Sequence, residues 1–106
     1  MTDPVFNQIA IVGAGLIGAS IARAAVAYGA AGSISLYDAS ETVRSRAAAI
    51  GLGDVADDLS AAVADADCVL LCVPVGALEP VAAEAVPMMK AGAILTDVGS
   101  VKVQAA

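Results

Sequence analysis

The sequence predicts an α/β domain built on an open parallel sheet, with strand order 3-2-1-4-5 and helices on both faces. Short apolar runs alternate with alanine-rich helical segments along the chain, which is typical of strands joined by crossover helices. One run is apolar throughout, as expected of a strand that is covered on both faces. The length of 106 residues fits one domain, and the sequence contains no repeat or linker.

The first half of the chain predicts two strands, each followed by a helix. The predicted elements are a strand at 9–12, a helix at 16–28, a strand at 33–37 and a helix at 41–50. Helical spacing places Tyr28 on the apolar face of the first helix, and Gly29 lies just past its end. Ser40 is expected to cap the second helix, which Gly51 follows.

Proline and glycine divide the second half. The pattern of residues 53–58 fits both a loop and a short edge strand. The later predicted elements are a helix at 60–66, a strand at 68–73, a helix at 78–89 and a strand at 93–96. Pro74 is expected to end the strand at 68–73, and Pro80 to lie near the first turn of the following helix. Because Gly99-Ser100 opens a further helix shortly before Ala106, we expect this chain to be a fragment of a longer protein.

Composition and charge exclude several classes of function. Five Lys and Arg against eleven Asp and Glu leave a net charge of -6, so no basic patch can form for nucleic acid or an anionic membrane. The absence of histidine removes imidazole catalysis and histidine-ligated metal. Residues 4–22 are uncharged, but Pro4 and three glycines divide them into a strand and a helix rather than a membrane span. We expect a cytoplasmic domain without a metal site, a nucleic-acid partner or a membrane partner.

The two cysteines and most of the aspartates are predicted to have no catalytic role. Cys68 and Cys72 would lie about 13 Å apart on one face of a strand, which is too far for a disulfide. We predict two buried free thiols, as in a reducing compartment. Five aspartates between the second helix and the strand at 68–73 are predicted to form a solvated acidic edge: Asp54, Asp57, Asp58, Asp65 and Asp67.

A glycine pattern at the first strand-to-helix turn is the strongest functional signal. In the pattern, Gly13 permits a tight turn, Gly15 lets a pyrophosphate approach the backbone, and Gly18 lets the helix pack closely on the sheet. Leu16 and Ile17 would contribute backbone amides at the helix N-terminus, which favours phosphate. The alternative is a tight turn that binds nothing, but the preceding strand and following helix favour a Rossmann-type dinucleotide site.

Asp38 follows Gly18 by 20 residues, at the end of the second predicted strand. With Ala39 beside it, its carboxylate is placed to accept hydrogen bonds from the adenosine ribose and to repel the 2′-phosphate of NADP. We therefore favour NAD as the cofactor over NADP. The alternatives are a helix-capping aspartate and a 2′-phosphate site at Arg44 or Arg46.

The ends of the first, fourth and fifth strands should meet in the predicted sheet, where ligands of such folds bind. The fourth would contribute an apolar wall on the nicotinamide side from Val73, Pro74 and Val75, although a simple strand stop also explains the proline. The fifth would bring Gly99 and Ser100 close to the reacting carbon, although Ser100 equally suits a helix cap. The roles of Asp97 and Lys102 stay open.

Five segments, in order along nearly the whole chain, carry a resemblance to a known family. They are residues 9–20 (IAIVGAGLIGAS), 37–38 (YD), 64–67 (ADAD), 72–75 (CVPV) and 96–102 (TDVGSVK). Together they resemble the prephenate/arogenate (cyclohexadienyl) dehydrogenase family. The first segment is shared with many dehydrogenases, whereas hydroxyisobutyrate-type dehydrogenases and pyrroline-carboxylate reductases usually lack the last.

The resemblance implies an enzyme of tyrosine biosynthesis that oxidises and decarboxylates prephenate or arogenate with NAD or NADP. It implies that Ser100 hydrogen-bonds the catalytic centre beside a histidine, that an arginine binds the ring carboxylate, and that a C-terminal helical domain forms a homodimer. This chain contains no histidine, and the arginine and helical domain lie later in the family. We therefore expect these 106 residues to bind the cofactor without turnover.

Two other functions remain open from the residues. A non-catalytic nucleotide-sensing module also uses a glycine turn and a ribose-binding acid. Another Rossmann dehydrogenase, such as a hydroxyacid dehydrogenase, would share the fold and the first motif.

Overall fold

The computed structural model describes residues 6–13, 15–29, 31–51 and 53–97, with the side chains of Leu16 and Ile17 left outside the description. Ten elements follow one another along these ranges. They are β1 (Phe6–Val12), α1 (Leu16–Ala27), β2 (Ala31–Tyr37), α2 (Glu41–Ile50), β3 (Asp54–Val55), α3 (Leu59–Val63), β4 (Cys68–Leu71), α4 (Val75–Ala85), a 3-10 turn (Val86–Met88) and β5 (Ile94–Asp97). None of the helices in the described ranges is long and apolar enough to cross a membrane.

The five strands form one parallel sheet in the order β3-β2-β1-β4-β5, which confirms the predicted fold class and strand order. Val12 at the end of β1 pairs with Tyr37 on one side and with Leu71 on the other. Leu71 pairs in turn with Asp97 at the end of β5. Because these partners are in register, the carboxyl ends of four strands lie side by side at one edge of the sheet.

Apolar side chains cover both faces of the sheet, as right-handed crossovers require. One core joins the strands to α1 and α2, and its buried members are Ile9, Ile11, Ala22, Ala25, Ile34, Leu36, Ala47 and Cys68. The other joins them to α3 and α4, and its buried members are Ala10, Val12, Leu59, Ala62, Val63, Ala66, Val69, Leu71 and Ala85. Residues 9–12 of β1 alternate between the two cores, and Cys68 and Val69 of β4 belong to one core each, so both strands contribute to both faces.

Several element boundaries in the first half differ from the prediction. β1 begins at Phe6 and β2 at Ala31, because Phe6 pairs with Ala31 ahead of the apolar residues. Tyr28 lies past the end of α1 and is 87% exposed, so its predicted place on the apolar face is wrong. Ser40 caps α2 as predicted, since its Oγ accepts a hydrogen bond from the Val43 amide.

In the second half, the largest correction concerns α4. The helix begins at Val75, directly after Pro74, and not at residue 78, so Pro80 lies inside it rather than in its first turn. It ends at Ala85, after which Pro87 sits in a 3-10 turn. A proline at 87 has no N–H to continue the helical hydrogen bonds, which explains the early end. β4 likewise stops at Leu71 rather than at residue 73.

The segment between α2 and β4 resolves into a short strand and a short helix. β3 pairs with β2 as an edge strand, which decides between the two possibilities left open for residues 53–58. α3 begins one residue earlier than predicted, at Leu59, because the Asp58 side chain accepts a hydrogen bond from the Ala61 amide and caps it.

Asp67 is tied into the sheet, and its predicted place on a solvated acidic edge is wrong. Its Oδ2 accepts hydrogen bonds from the backbone amides of Asn7 (2.7 Å) and Gln8 (3.1 Å), and its Oδ1 lies 2.6 Å from Nζ of Lys90. The hydrogen bond from Lys90, followed by those from the amides, lowers the pKa of the Asp67 carboxyl below its ordinary value. One side chain therefore joins the start of β1, the start of β4 and the loop before β5.

Candidate functional site

A cavity of about 400 Å³ opens at the carboxyl edge of the sheet, on the face covered by α3 and α4. Its size falls within the range of small-ligand sites, roughly 300–1,000 Å³. The ends of β1, β2 and β4 form its floor, and one side of α4 with the start of α3 forms its wall. The lining residues are Val12, Gly13, Gly15, Tyr37, Asp38, Ala39, Leu59, Cys72, Val73, Pro74, Ala77, Val81 and Glu84.

Gly13 occupies a position that only glycine suits. Its φ is +99°, and its amide donates a 2.7 Å hydrogen bond to the carbonyl of Tyr37. A Cβ built at this position would lie 2.5 Å from the carbonyl oxygen of Cys72, which is backbone and cannot move aside cheaply. Both the backbone conformation and the contact with the end of β4 therefore require glycine.

Gly18 brings α1 against the turn that precedes it. A Cβ here would collide with the carbonyl oxygen of Gly13 and would lie 3.3 Å from the Ile11 side chain. The residue is buried, as close helix–sheet packing demands. Its helix, together with Ala22 one turn later, therefore lies directly on the end of β1.

Gly15 differs from Gly13 and Gly18, because no contact with the described protein atoms requires a glycine at this position. It is the N-cap of α1 with φ at -74°, it is exposed, and a Cβ would meet nothing described within 4 Å. The amides of the first turn, including those of Leu16 and Ile17, have no acceptor within the helix. Without acidic residues in that turn, the N-terminus of α1 presents donors and a partial positive charge beside the cavity.

Asp38 directly follows β2 and lines the cavity. Its Oδ1 accepts a 2.8 Å hydrogen bond from the Ser40 amide, which orients the carboxylate, while Ser40 itself caps α2. The helix-cap alternative for Asp38 is therefore wrong. Arg44 donates from Nη1 to the Asp38 carbonyl at 2.7 Å, and its guanidinium lies 5.6 Å from the centre of the Tyr37 ring.

The predicted apolar wall is divided by the start of α4. Val73 and Pro74 line the cavity, whereas Val75 is 72% exposed and lies outside the lining. Asp97 ends β5 at the same edge of the sheet. The remaining predicted residues, Gly99, Ser100 and Lys102, lie outside the described part of the chain.

Both cysteines are free thiols, as predicted, but their surroundings differ. Cys68 is buried at the start of β4, whereas Cys72 is half-buried and lines the cavity. Burial raises the pKa of the Cys72 thiol to about 11, so the cavity wall there is neutral at physiological pH.

Sequence reasoning missed the α4 wall and the α3 contribution to the cavity. Ala77, Val81 and Glu84 follow one another at the i, i+4, i+7 spacing of a single helix face, and Leu59 faces them from the start of α3. The spacing is visible in the sequence once the helix is known to start at Val75. Nothing in the sequence places Leu59 opposite that face, because the two helices come together through the sheet order.

The charged side chains in the described lining are both acids, Asp38 and Glu84. The described residues include no group of three or more side chains suited to holding a metal ion. Apolar walls with carboxylates suit a flat apolar ligand that donates hydrogen bonds, and the α1 N-terminus adds donors for an anion at one end. The geometry is compatible with a nucleotide that carries a diphosphate.

A family match agrees with this geometry. The model of the family described as prephenate dehydrogenase, nucleotide-binding domain, matches residues 21–106. The chain belongs to this family. It is 57% identical over 100 residues to a cyclohexadienyl dehydrogenase of Zymomonas mobilis, and the alignment covers 93% of this chain and 34% of that protein.

Solved structures of the family share the fold. An arogenate dehydrogenase of Synechocystis superposes with a TM-score of 0.77 at 28% identity, over 85% of this chain and 32% of the other. A prephenate dehydrogenase from A. aeolicus, in complex with hydroxyphenyl propionate and NAD+, gives a TM-score of 0.77 at 24% identity, over 92% of this chain and 34% of the other. The chain thus spans about a third of the length of these relatives.

Family membership decides between the possibilities that the residues left open. It places the chain in the prephenate/arogenate dehydrogenase family rather than among nucleotide-sensing modules or hydroxyacid dehydrogenases. It also identifies the domain as the nucleotide-binding one, which is the domain that the glycine turn predicts.

Proposed function

We propose that this domain binds NAD in the cavity at the carboxyl edge of the sheet, for a full-length enzyme that oxidatively decarboxylates prephenate or arogenate. The observation that supports the proposal best is the position of two features in one cavity. The open α1 N-terminus at Gly15 and the oriented carboxylate of Asp38 both line it. The first suits a diphosphate and the second a ribose diol.

In this proposal the diphosphate lies over Gly15 and accepts hydrogen bonds from the backbone amides of Leu16, Ile17 and Gly18. Gly13 acts indirectly, because it lets the turn pack against β4 and so places α1. The open space beside Gly15 is where the phosphate oxygens would approach the backbone. The residues present therefore fit the group.

Asp38 and Ala39 would hold the adenosine ribose and favour NAD over NADP. The carboxylate accepts hydrogen bonds from both ribose hydroxyls and repels a 2′-phosphate. The Arg44 guanidinium donates to the Asp38 carbonyl and lies over Tyr37, so it supports the turn that presents the carboxylate. Arg46 is exposed on α2.

The reacting end of the cofactor would lie toward β4 and β5. Val73 and Pro74 would provide the apolar side of that region, without the exposed Val75, and we assign Ser100, with Gly99 before it, to the catalytic centre. When bound, the nicotinamide supplies the hydride acceptor. Because the sequence has no histidine, we assign the acid–base imidazole to another part of the full-length enzyme. We assign the substrate carboxylate site and the homodimer contact to other parts of that enzyme as well. We place the enzyme itself in the cytoplasm.

Thermal unfolding of the chain with NAD, with NADP and with neither tests the cofactor assignment. A ligand at about 100 times its Kd stabilises the folded state by roughly 2.7 kcal/mol, so we expect a clear rise in Tm with NAD and a smaller one with NADP. Asp38→Asn should reduce the NAD shift, whereas Asp57→Asn, which removes an exposed carboxylate outside the cavity, should not. A cooperative transition that neither nucleotide shifts would refute the proposal, and a shift with NADP alone would refute the role of Asp38.

A further inference from the structure

One part of the described sheet has little cover on the face that carries α1 and α2. On this face, Ile94 of β5 pairs with Cys68 of β4, which pairs in turn with Ile9 of β1. Cys68 and Ile9 are 7% and 8% exposed, whereas Ile94 is 53% exposed. Burial on this face is therefore lost between β4 and β5.

The next row of paired residues loses its burial at the same place. Ile11 of β1 is fully buried, whereas its partner Leu70 in β4 is half-buried, and Thr96, the partner of Leu70 in β5, is exposed. On the opposite face of β5, Leu95 packs against the core formed with α3 and α4. We call the surface of Leu70, Ile94 and Thr96 the uncovered face.

The described helices lie over other strands for a topological reason. α1 packs over β1 and β2, and α2 packs over β2 and β3. α4 connects β4 to β5 on the opposite face, and a right-handed connection from β5 to a further parallel strand beyond it would run on the face of α4 as well. Parallel sheets are covered on both faces, and the apolar run Cys68–Leu71 has the pattern of a doubly covered strand. The uncovered face therefore requires a segment other than the direct continuation of β5.

The dimensions of the uncovered face suit one helix. β4 and β5 have four residues each, about 13 Å of strand at roughly 3.3 Å per residue, and two strands about 4.8 Å apart are together nearly as wide as a helix of about 10 Å diameter. This surface is far smaller than the roughly 800 Å² per partner that a stable interface between separate chains buries. It suits a helix of the same polypeptide, which does not lose the translational and rotational freedom of a separate partner.

We propose that the uncovered face docks an amphipathic helix from the part of the full-length enzyme outside these 106 residues, with its apolar side on Leu70 and Ile94. This inference rests on the proposed full-length enzyme, but not on the binding of NAD. The chain spans 34% of the length of its curated relative, so the remaining part of such an enzyme is long enough to supply the helix. Because Thr96 lies toward the carboxyl edge, the docked helix would hold the substrate-binding part of the enzyme beside the reacting end of the cofactor.

Cysteine labelling of the full-length enzyme tests the proposal, with Ile50 as the matched control. Ile94 and Ile50 are 53% and 54% exposed in this domain, but Ile50 ends α2, which packs over β2 and β3. With iodoacetamide and peptide mass spectrometry, Ile94→Cys should be alkylated about tenfold or more slowly than Ile50→Cys. Alkylation of a thiol under the docked helix requires a local opening of the structure, whereas alkylation of an exposed thiol does not.

Substitution by lysine provides a second measurement on the same two positions. Ile94→Lys should lower the Tm of the full-length enzyme by about 5 °C, because the docked helix would bury the ammonium group without a partner. Ile50→Lys should leave the Tm nearly unchanged, since its side chain stays in solvent at the end of α2.

The outcomes separate this proposal from the proposed cofactor. Equal alkylation of the two cysteine variants, or equal Tm values of the two lysine variants, would overturn the docked helix. Protection of Ile94→Cys that disappears when the enzyme is diluted to monomers would assign the uncovered face to a second copy, and would overturn it as well. Neither measurement uses NAD, so a failure of NAD to shift the thermal transition would overturn the proposed cofactor alone.

Discussion

The polar groups at the amino edge of the sheet and those at its carboxyl edge differ in what they bind. At the amino edge, the carboxylate of Asp67 is used entirely within the protein, by the amides of Asn7 and Gln8 and by Lys90. At the carboxyl edge, the first-turn amides of α1 and the carboxylate of Asp38 lie beside a cavity. One edge therefore joins the strands together, while the other keeps hydrogen-bonding capacity for a ligand.

The three glycines of the motif differ in the same way, because some of them contact the protein and one does not. Gly13 and Gly18 are explained by collisions that a Cβ would have with the protein, whereas Gly15 has open space beside it. The first two are structural requirements of the carboxyl edge. The third suits the N-cap of α1, and the open space beside it leaves room for a ligand to approach the backbone.

The largest expected effect is that of Gly13→Ala on stability. A positive φ and a Cβ 2.5 Å from the Cys72 carbonyl should destabilise the fold by about 3 kcal/mol. Urea unfolding followed by circular dichroism measures the loss. Gly76→Ala is the control, since the described structure leaves open space at that position. Equal stability of the two variants would mean that the carboxyl edge is less constrained than its geometry indicates.

The two cysteines report on the two edges separately. With a pKa of about 11, Cys72 should react with iodoacetamide at pH 8 on the order of 100-fold more slowly than an ordinary thiol. Bound NAD should slow Cys72 further and leave Cys68, at the other end of β4, unchanged. Peptide mass spectrometry gives both rates. Equal protection of both thiols would indicate general stabilisation rather than occupation of the cavity.

Gly15→Ala should separate binding from folding. The N-cap has an ordinary φ and no described neighbour for a Cβ, so the variant should lose no more than about 1 kcal/mol, the cost of alanine as a poorer N-cap. The added methyl group would stand where the diphosphate approaches, and we expect about a tenfold or greater loss of NAD affinity. Calorimetric titration measures the Kd, with Gly76→Ala again as the control. An unchanged NAD affinity would show that the diphosphate does not bind at this turn.

The smallest expected effect is pH-dependent and belongs to the amino edge. Because folding lowers the pKa of Asp67, its ionised form stabilises the fold above the unfolded-state pKa near 3.8, and this contribution is lost as the pH falls through the lower folded-state pKa. The Tm difference between wild type and Asp67→Asn should therefore be present at pH 7 and shrink below about pH 4. Asp65→Asn, an exposed neighbour, should show a smaller change. A difference independent of pH would show that the hydrogen bonds matter without the charge.

Much of this protein was determined by local sequence. The alternation of apolar runs with helical segments predicted a parallel sheet, because a parallel strand must be reached by a crossover helix. Gly13 and Gly18 could be identified from their spacing, since the turn and the close helix contact are properties of a few consecutive residues. The cap at Ser40 is local for the same reason.

Only the tertiary structure decided the partners that lie far apart in the chain. Asp67 meets Asn7 and Gln8 from about 60 residues away, and nothing near it in the sequence distinguishes it from Asp65. The wall of Leu59, Val81 and Glu84 likewise exists only because the sheet order brings α3 beside α4. Sequence patterns record what neighbouring residues require of one another, whereas these contacts depend on the path that the chain takes through the whole sheet.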